Sequence, residues 1–366
     1  MFKKAVFLGN DQSDWVNISV SNPIDTLSLE IDDSPEKLVN FIHKHTGRFL
    51  AGFITYEYGV KQMGVPVDNY KDIPAVYFCA FDSSEKPNPI AKISMPRWEI
   101  FEPTISKKTY ETNFKHIKDH IFRCNFYQIN YTYHLKSLAN VPAENLFYSF
   151  RKNNKVGYCA FFETNNWAIH SLSPEQFIKI KNGIITTKPI KGTIVRGDTK
   201  QEDKYNLSML LRSEKEQSEL YMIIDLLRND LGKVCETDSV KVFESKSVKK
   251  LEKVFHTYGK IQGTLKSTLS PIEALISMLP GGSISGCPKK RACEIIHELE
   301  LNPRGVYTGT IGYILPDGTL NFNIAIRTVV QQKDKLTLGV GGGITVDSNC
   351  FDEYEETLAK AMSFQP

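Results

Sequence analysis

Tryptophan is scarce, with 3 in 366 residues, and no two cysteines stand in a Cys-x-x-Cys spacing. The seven cysteines, at 79, 124, 159, 235, 287, 293 and 350, are odd in number, which argues against a disulfide framework and against a structural zinc site. Long apolar runs are also missing. Nothing approaches the length that spans a bilayer. After Met1-Phe2-Lys3-Lys4 the apolar stretch Ala5 to Leu8 is too short for a signal peptide, so a cytoplasmic chain with no membrane attachment is expected. An excess of either charge is lacking too. The formal balance is +3, and no basic stripe interleaves with aromatics, which argues against nucleic acid and for a small-molecule ligand. His116 and His120 stand four apart on a predicted helix, but no glutamate follows the first, so the zinc-hydrolase pattern is absent.

Two glycine-rich runs imitate nucleotide sites and fail. Gly339-Val340-Gly341-Gly342-Gly343 lacks the final glycine of a dinucleotide fingerprint, because position 344 is Ile344, and Ile344-Thr345-Val346 reads as extended chain where a helix is required. Gly281 to Gly286 has phosphate-loop spacing, yet Cys287-Pro288 stands where Lys-Ser/Thr is needed. Both runs, read as loops, still offer unobstructed backbone N–H groups. Gly282 to Gly286 is expected to lead straight into a helix N-terminus, which favours a carboxylate or phosphate. Arg327, in the strand before the second run, offers a bidentate fork to a carboxylate, although on an ordinary sheet such a side chain is solvated.

The patterning predicts an α+β chain with antiparallel sheets. Residues 1–95 mix extended runs, Phe49 to Tyr58 and Ala75 to Phe81, with a helix near Pro35 to His45, and the polar, Pro-containing segment Asp82 to Pro96 is the plausible linker to a core over 96–366. A helix is predicted from Ser106 to about Cys124 and a strand from Tyr127 to Leu138. Residues 201 to 230 read as one helix stopping at Gly232, with further helices at Pro271 to Leu279, after Pro288, and from about Glu353. Gly305 to Leu315, Thr319 to Val330 and Lys335 to Val340 read as a three-stranded meander.

Gln176 to Lys181 and Ile184 to Thr187 flank Asn182-Gly183, the pair preferred by a two-residue type I′ turn. That turn fixes a register in which paired positions sum to 365, so Glu175 falls opposite Ile190, next to Lys191. In ideal pairing the carboxyl and the amine point to opposite faces, and a kink at Pro189 or a bulge is needed to bring them together. A lone lysine on a hairpin is ordinarily just solvated. Its setting in Lys188-Pro189-Ile190-Lys191-Gly192-Thr193 makes it a candidate nucleophile.

Two acidic pairs share one spacing, Glu216 with Glu219 and Glu353 with Glu356, each at i, i+3 on one helix face. Like charges so placed oppose helix formation by a few tenths of a kcal/mol unless solvent or a cation offsets them. Four carboxylates suit a hard cation such as Mg²⁺. Lys360, one turn beyond Glu356, is either an ordinary i, i+4 partner or a reach to a substrate anion.

Taken in order, Ser173-Pro174-Glu175, Pro189 to Thr193, Ile224 to Leu231, Pro280 to Lys289, Ala325 to Thr328, Gly341 to Ile344 and Glu353 to Thr357 resemble the chorismate-binding enzymes. Members of that family make anthranilate, aminodeoxychorismate, isochorismate or salicylate from chorismate. The resemblance is strong from about residue 100 to 365 and weak before that. It implies two stacked, mainly antiparallel sheets flanked by helices. Anthranilate- and isochorismate-forming members typically carry alanine where this chain has Lys191, whereas members that aminate chorismate at C4 carry lysine. Gln128 occupies the position of the lysine base in members that add water, and glutamine cannot take that proton.

By the same resemblance, Glu219 and Glu356, with Glu216 and Glu353 directly or through water, would hold Mg²⁺. Lys191 would be the nucleophile and Glu175 the general acid. Ser285, Gly341, Gly343, Arg327 and Tyr307 would bind the substrate carboxylates, while Thr193, His256 and Lys360 match further site positions. Only Leu27-Ser28-Leu29-Glu30 echoes the tryptophan-site motif of some relatives, so tryptophan feedback is not expected. No glutaminase nucleophile motif and no appended lyase domain is visible, so ammonia is expected from a separate glutamine amidotransferase subunit or from solution. Two rivals stay open: an anthranilate-forming enzyme, and a silent chorismate-binding or scaffolding protein, which loss of a metal glutamate or of the glycine runs would suggest. All of those residues are present.

Overall fold

The computed structural model describes residues 1–11, 13–68, 70, 72–87, 96–250 and 254–366. Most of the expected linker, Asp82 to Pro96, lies outside them. The chain divides into two units, one built from Met1–Pro174 and Leu279–Pro366, the other from the continuous stretch Glu175–Met278. The architecture is α+β with antiparallel sheets and flanking helices, as expected. Among the described residues no helix is long and apolar enough to cross a membrane.

In the first unit two antiparallel sheets face each other. One is ordered Gly286–Cys287, Gln128–Leu138, Lys335–Ile344, Thr328–Gln332, Ala168–Ser173, Tyr158–Thr164, Phe2–Leu8, Ile18–Ser21. The other is ordered Leu320–Ile324, Thr310–Ile314, Phe49–Ile54, Val76–Phe81, Asp25–Leu29. Alternate residues of each strand point into the shared core. Phe7 of the first sheet meets Phe49 and Tyr313 of the second edge-on at 6.1 and 5.2 Å, and Phe53 meets Phe162 at 6.3 Å. Such pairs add roughly 0.5–1.5 kcal/mol each beyond their burial. Outside the sheets, helix Lys107–Phe122 starts where the Ser106 hydroxyl accepts from the Thr109 N–H, and it buries Tyr110, Phe114, Ile117 and Ile121 along one stripe.

Several boundaries differ from expectation. Tyr56–Lys61 is a helix rather than the end of a strand. The predicted meander is four strands in two sheets: Thr319 to Val330 splits into Leu320–Ile324 and Thr328–Gln332, with Arg327 at φ +50° between them. A left-handed residue there turns the chain from one sheet to the other. Gly339 to Gly343 is not a loop, because strand Lys335–Ile344 runs through it, pairing Gly341 with Thr132 and Gly343 with Asn130. Its glycines allow close approach: a Cβ on Gly339 would lie 2.2 Å from the Tyr307 ring. Nor does Gly282 to Gly286 enter a helix directly. A short 3₁₀ turn, Gly282–Ile284, and a bridge strand, Gly286–Cys287, come before helix Lys289–Leu299.

The second unit opens with the predicted hairpin. Asn182 at φ +51° and Gly183 at φ +73° form its turn, and Lys181↔Ile184, Ile180↔Ile185 and Lys179↔Thr186 keep the expected register. The register then slips, so that Gln176 faces Lys188. Strand Val254–Thr264 carries Lys241–Lys250 along one side; on the other it pairs first with Ile190–Val195 and then with Ile184–Lys188. The single helix expected over 201–230 is two, Lys200–Arg212 and Glu214–Val234. Ser213 breaks it in an extended conformation, its hydroxyl accepting from the Glu216 N–H, and Gly232 sits inside the second helix instead of ending it.

Candidate active site

In the second unit the strand Ile190–Val195 pairs regularly at Ile190↔Tyr258 and Lys191↔Thr257, then resumes at Thr193↔His256. Gly192 is the extra residue, at φ +72°, so the site turns on a bulge, one of the two devices expected. A Cβ there would lie 2.6 Å from Thr257 Oγ1 and 3.2 Å from Glu216 Oε2, which leaves glycine as the residue that fits. Lys191 is mostly buried, with Nζ 3.7 Å from Glu219 Oε2. The i, i+3 pair Glu216 and Glu219 thus faces the bulge. Thr193 Oγ1 lies 2.7 Å from His256 Nδ1, and the Thr257 hydroxyl donates to the Lys191 carbonyl. Glu175 is buried just before strand Gln176–Lys181.

The first unit holds the other predicted residues. Lys360 Nζ lies 2.8 Å from Glu356 Oε1 and donates to the Gly341 carbonyl at 2.8 Å, so it is both the i, i+4 partner and a tie to the glycine strand. Glu353 is buried, accepts from the Ser348 hydroxyl at 2.7 Å, and its Oε2 lies 3.3 Å from where a Gly342 Cβ would stand. The Arg327 guanidinium is held below its ordinary value by burial, and it makes no side-chain hydrogen bond or ion pair among the described residues. A desolvated cation without a partner is suited to an incoming anion. Burial likewise pushes the Tyr307 hydroxyl well above its ordinary value. Ser285 is fully buried and its hydroxyl donates to the Gly281 carbonyl at 2.8 Å, so this side chain shapes its own turn. The Gln128 side chain is buried with its amide oxygen unpaired.

A network absent from the sequence reading braces these segments. The Arg304 guanidinium binds Glu300 through two nitrogens at 2.7 and 2.8 Å, the Ile284 carbonyl at 2.8 Å and the Asn130 carbonyl at 2.6 Å, and it stacks 4.3 Å over the Tyr56 ring. Glu57 accepts from the backbone N–H groups of Arg304 and Gly305 at 2.6 and 2.9 Å, and desolvation pushes its carboxyl up to about 7. Lys118 gathers the Thr345, Val346 and Ser348 carbonyls around the turn that presents Ser348 to Glu353. Only a cap signal, Ser348-Asn349 ahead of the last helix, could have pointed there.

Each unit contributes a glutamate pair, Glu216 with Glu219 and Glu353 with Glu356, and carboxylate oxygens are the hard donors that suit Mg²⁺. Within neither unit do three potential His, Cys, Asp or Glu ligands cluster among the described residues. A cavity of about 940 Å³ in the first unit is lined by Trp98, Lys136, Lys335 and His134, whose imidazole burial pushes down to about 4, and by none of the predicted site residues.

The family model for chorismate binding enzymes matches residues 10–366. Aminodeoxychorismate synthase of Arabidopsis thaliana is 39% identical over 267 residues, 72% of this chain and 29% of that one. Anthranilate synthase component 1 of Acetivibrio thermocellus is 37% identical over 259 residues, 71% of this chain and 52% of that one. The crystal structure of anthranilate synthase component I from Streptococcus pneumoniae superposes with a TM-score of 0.83 at 26% identity, covering 99% of this chain and 92% of that one. The chain therefore spans about half or less of the length of these two curated relatives.

Proposed function

Starting from the fact that this chain belongs to the chorismate-binding enzymes, we propose that it aminates chorismate at C4, giving 4-amino-4-deoxychorismate on the way to 4-aminobenzoate and folate. The observation that carries this reading is Lys191, set on a glycine bulge with its amine 3.7 Å from Glu219, where anthranilate-forming members typically have alanine. The Lys191 amine, neutral when it reacts, forms a bond to C2; both conjugated ring double bonds shift by one position and the C4–O bond breaks. Glu175 gives its proton to the departing hydroxyl, which leaves as water. Ammonia then bonds to C4, both double bonds shift back, the C2–N bond to Lys191 breaks, and the new ammonium at C4 returns a proton to Glu175, so one displacement becomes two easier ones. Arg327, Tyr307 and the backbone at Ser285, Gly341 and Gly343 recognise the carboxylates. Glu219 and Glu356, with Glu216 and Glu353 directly or through water, would hold Mg²⁺, which would supply Lewis acidity. Thr193, His256 and Lys360 orient the groups around them.

Ammonia comes from a separate glutamine amidotransferase subunit or from solution. Aminodeoxychorismate and anthranilate synthases both stand among the relatives, so formation of anthranilate is the competing reading. Incubating the purified chain with chorismate, Mg²⁺ and an ammonium salt separates them. Four-aminobenzoate that appears only when aminodeoxychorismate lyase is added is the expected result; anthranilate with released pyruvate and no need of lyase overturns the proposal.

A further inference from the structure

The bulge that carries Lys191 is fastened from the neighbouring strand by two consecutive residues, and one of them has no part in the reaction as written above. Resting on that reading, we propose that Thr257 is a positioning residue, whose hydroxyl, by holding the Lys191 carbonyl, fixes the bulge at Gly192 and thereby the direction of the Lys191 amine.

Three observations carry it. In a regular antiparallel ladder backbone N–H and carbonyl groups meet at alternate residue pairs, and an inserted residue interrupts that alternation. At the last regular pair before the inserted residue, Lys191↔Thr257, a side chain reinforces the junction: the Thr257 hydroxyl donates to the Lys191 carbonyl. Thr257 is almost wholly buried, so water does not compete for that hydroxyl. Gly192, at φ +72°, has no Cβ, and a Cβ would stand 2.6 Å from Thr257 Oγ1; the close approach of hydroxyl and bulge is built into both residues. On the far side of the bulge, Thr193 Oγ1 meets His256 Nδ1 at 2.7 Å, so the backbone is held on each flank of Gly192. The Nζ of Lys191, by contrast, stands 3.7 Å from Glu219, an ion-pair separation longer than a hydrogen bond. The amine's direction is therefore set mainly by its backbone, and the backbone by Thr257.

The test uses the full chain with chorismate, Mg²⁺ and an ammonium salt, comparing Thr257→Val, Thr257→Ser and Thr257→Cys. Rapid quenching and mass analysis of the Lys191 peptide give the rate of adduct formation, and steady-state assays give kcat and KM separately. Valine matches threonine in shape but lacks the donor. Thr257→Val should slow adduct formation and kcat roughly 10- to 100-fold, the range expected for misplacing a reacting group, while KM for chorismate stays within about twofold. Thr257→Ser should restore wild-type rates, and Thr257→Cys, a weak donor of similar size, should fall between. Wild-type rates in Thr257→Val, or a raised KM with unchanged kcat, would overturn the proposal. If the valine variant does not fold, equal rates for the serine and cysteine variants overturn it equally well. A wild-type enzyme that aminates chorismate with no mass ever appearing on Lys191 removes the nucleophile itself, and the reading falls together with its consequence.

Discussion

Strands Lys335–Ile344 and Lys241–Lys250 have the same length and opposite surroundings. The first, in the larger unit, is buried at most positions and lies between two partners, the long Gln128–Leu138 and the short Thr328–Gln332. The second, in the smaller unit, is buried at none of its ten positions and follows Val254–Thr264 through two register shifts. The contrast extends to chemistry. The larger unit holds a guanidinium at Arg327 with no side-chain partner among the described residues, a glycine strand and a braced turn at Ser285. The smaller unit holds the Lys191 amine on a bulge. A deeply packed framework suits recognition, which needs groups held still, and a lighter element suits a covalent step, in which the backbone must accommodate bond formation.

Kinetics can break this division most sharply. Lys191→Ala should lower kcat for C4 amination on the order of 10³-fold or more while KM for chorismate changes little. Arg327→Lys, which keeps the charge but loses the fork, should instead raise KM about 10-fold or more with kcat nearly kept. Steady-state assays on both variants decide the matter, and a KM effect from Lys191 or a kcat effect from Arg327 would erase the distinction.

Next in size is the buried framework's response to pH. Glu57 titrates near 7 in the folded chain against an ordinary value of 4.5, so the folded state holds the proton more tightly and stability falls as pH rises across that interval. The loss amounts to about 3 kcal/mol. His134, pushed down to about 4 from 6.5, acts with the opposite sign and adds stability as pH rises through its own interval. In the wild-type chain the two partly cancel. Glu57→Gln should therefore make stability, measured by urea unfolding, climb more steeply between pH 4.5 and 7 than in the wild type.

The smallest effect sharpens the comparison from the lighter side. Thr199 forms a capping box with Glu202 at the start of helix Lys200–Arg212. Thr199→Ala should cost about 1 kcal/mol, seen by hydrogen exchange as faster opening of that helix with no change in Lys335–Ile344.

What could be read from the chain follows the same line. Rules acting over a few residues were legible: the Asn182-Gly183 turn with its first three pairs, the helix beginning at Ser106, the α+β class with antiparallel sheets. Contacts between distant residues were not. Nothing near Gly341 says that Thr132 will lie beside it, so a strand passed for a loop, and nothing near Lys191 announces Thr257. The switch of sheets at Arg327 depends on partners as remote as Ala168–Ser173. Ser213, by contrast, carries a local cap signal that a continuous apolar rhythm across 201–230 concealed. The seven site motifs were visible because they are contiguous; the network of Glu57, Glu300 and Arg304 beneath them was not.

The pairing of Leu50 with Ile314 has a consequence for synthesis. Strand Phe49–Ile54 leaves the ribosome early, yet one of its neighbours, Thr310–Ile314, is translated only after the whole smaller unit has been made. Until then an apolar strand waits with one edge open. Partners so remote in sequence fold slowly and leave nascent chains prone to sticking together. A yield that depends on translation speed and on chaperone supply, more than on the finished protein's stability, is what this order of strands imposes.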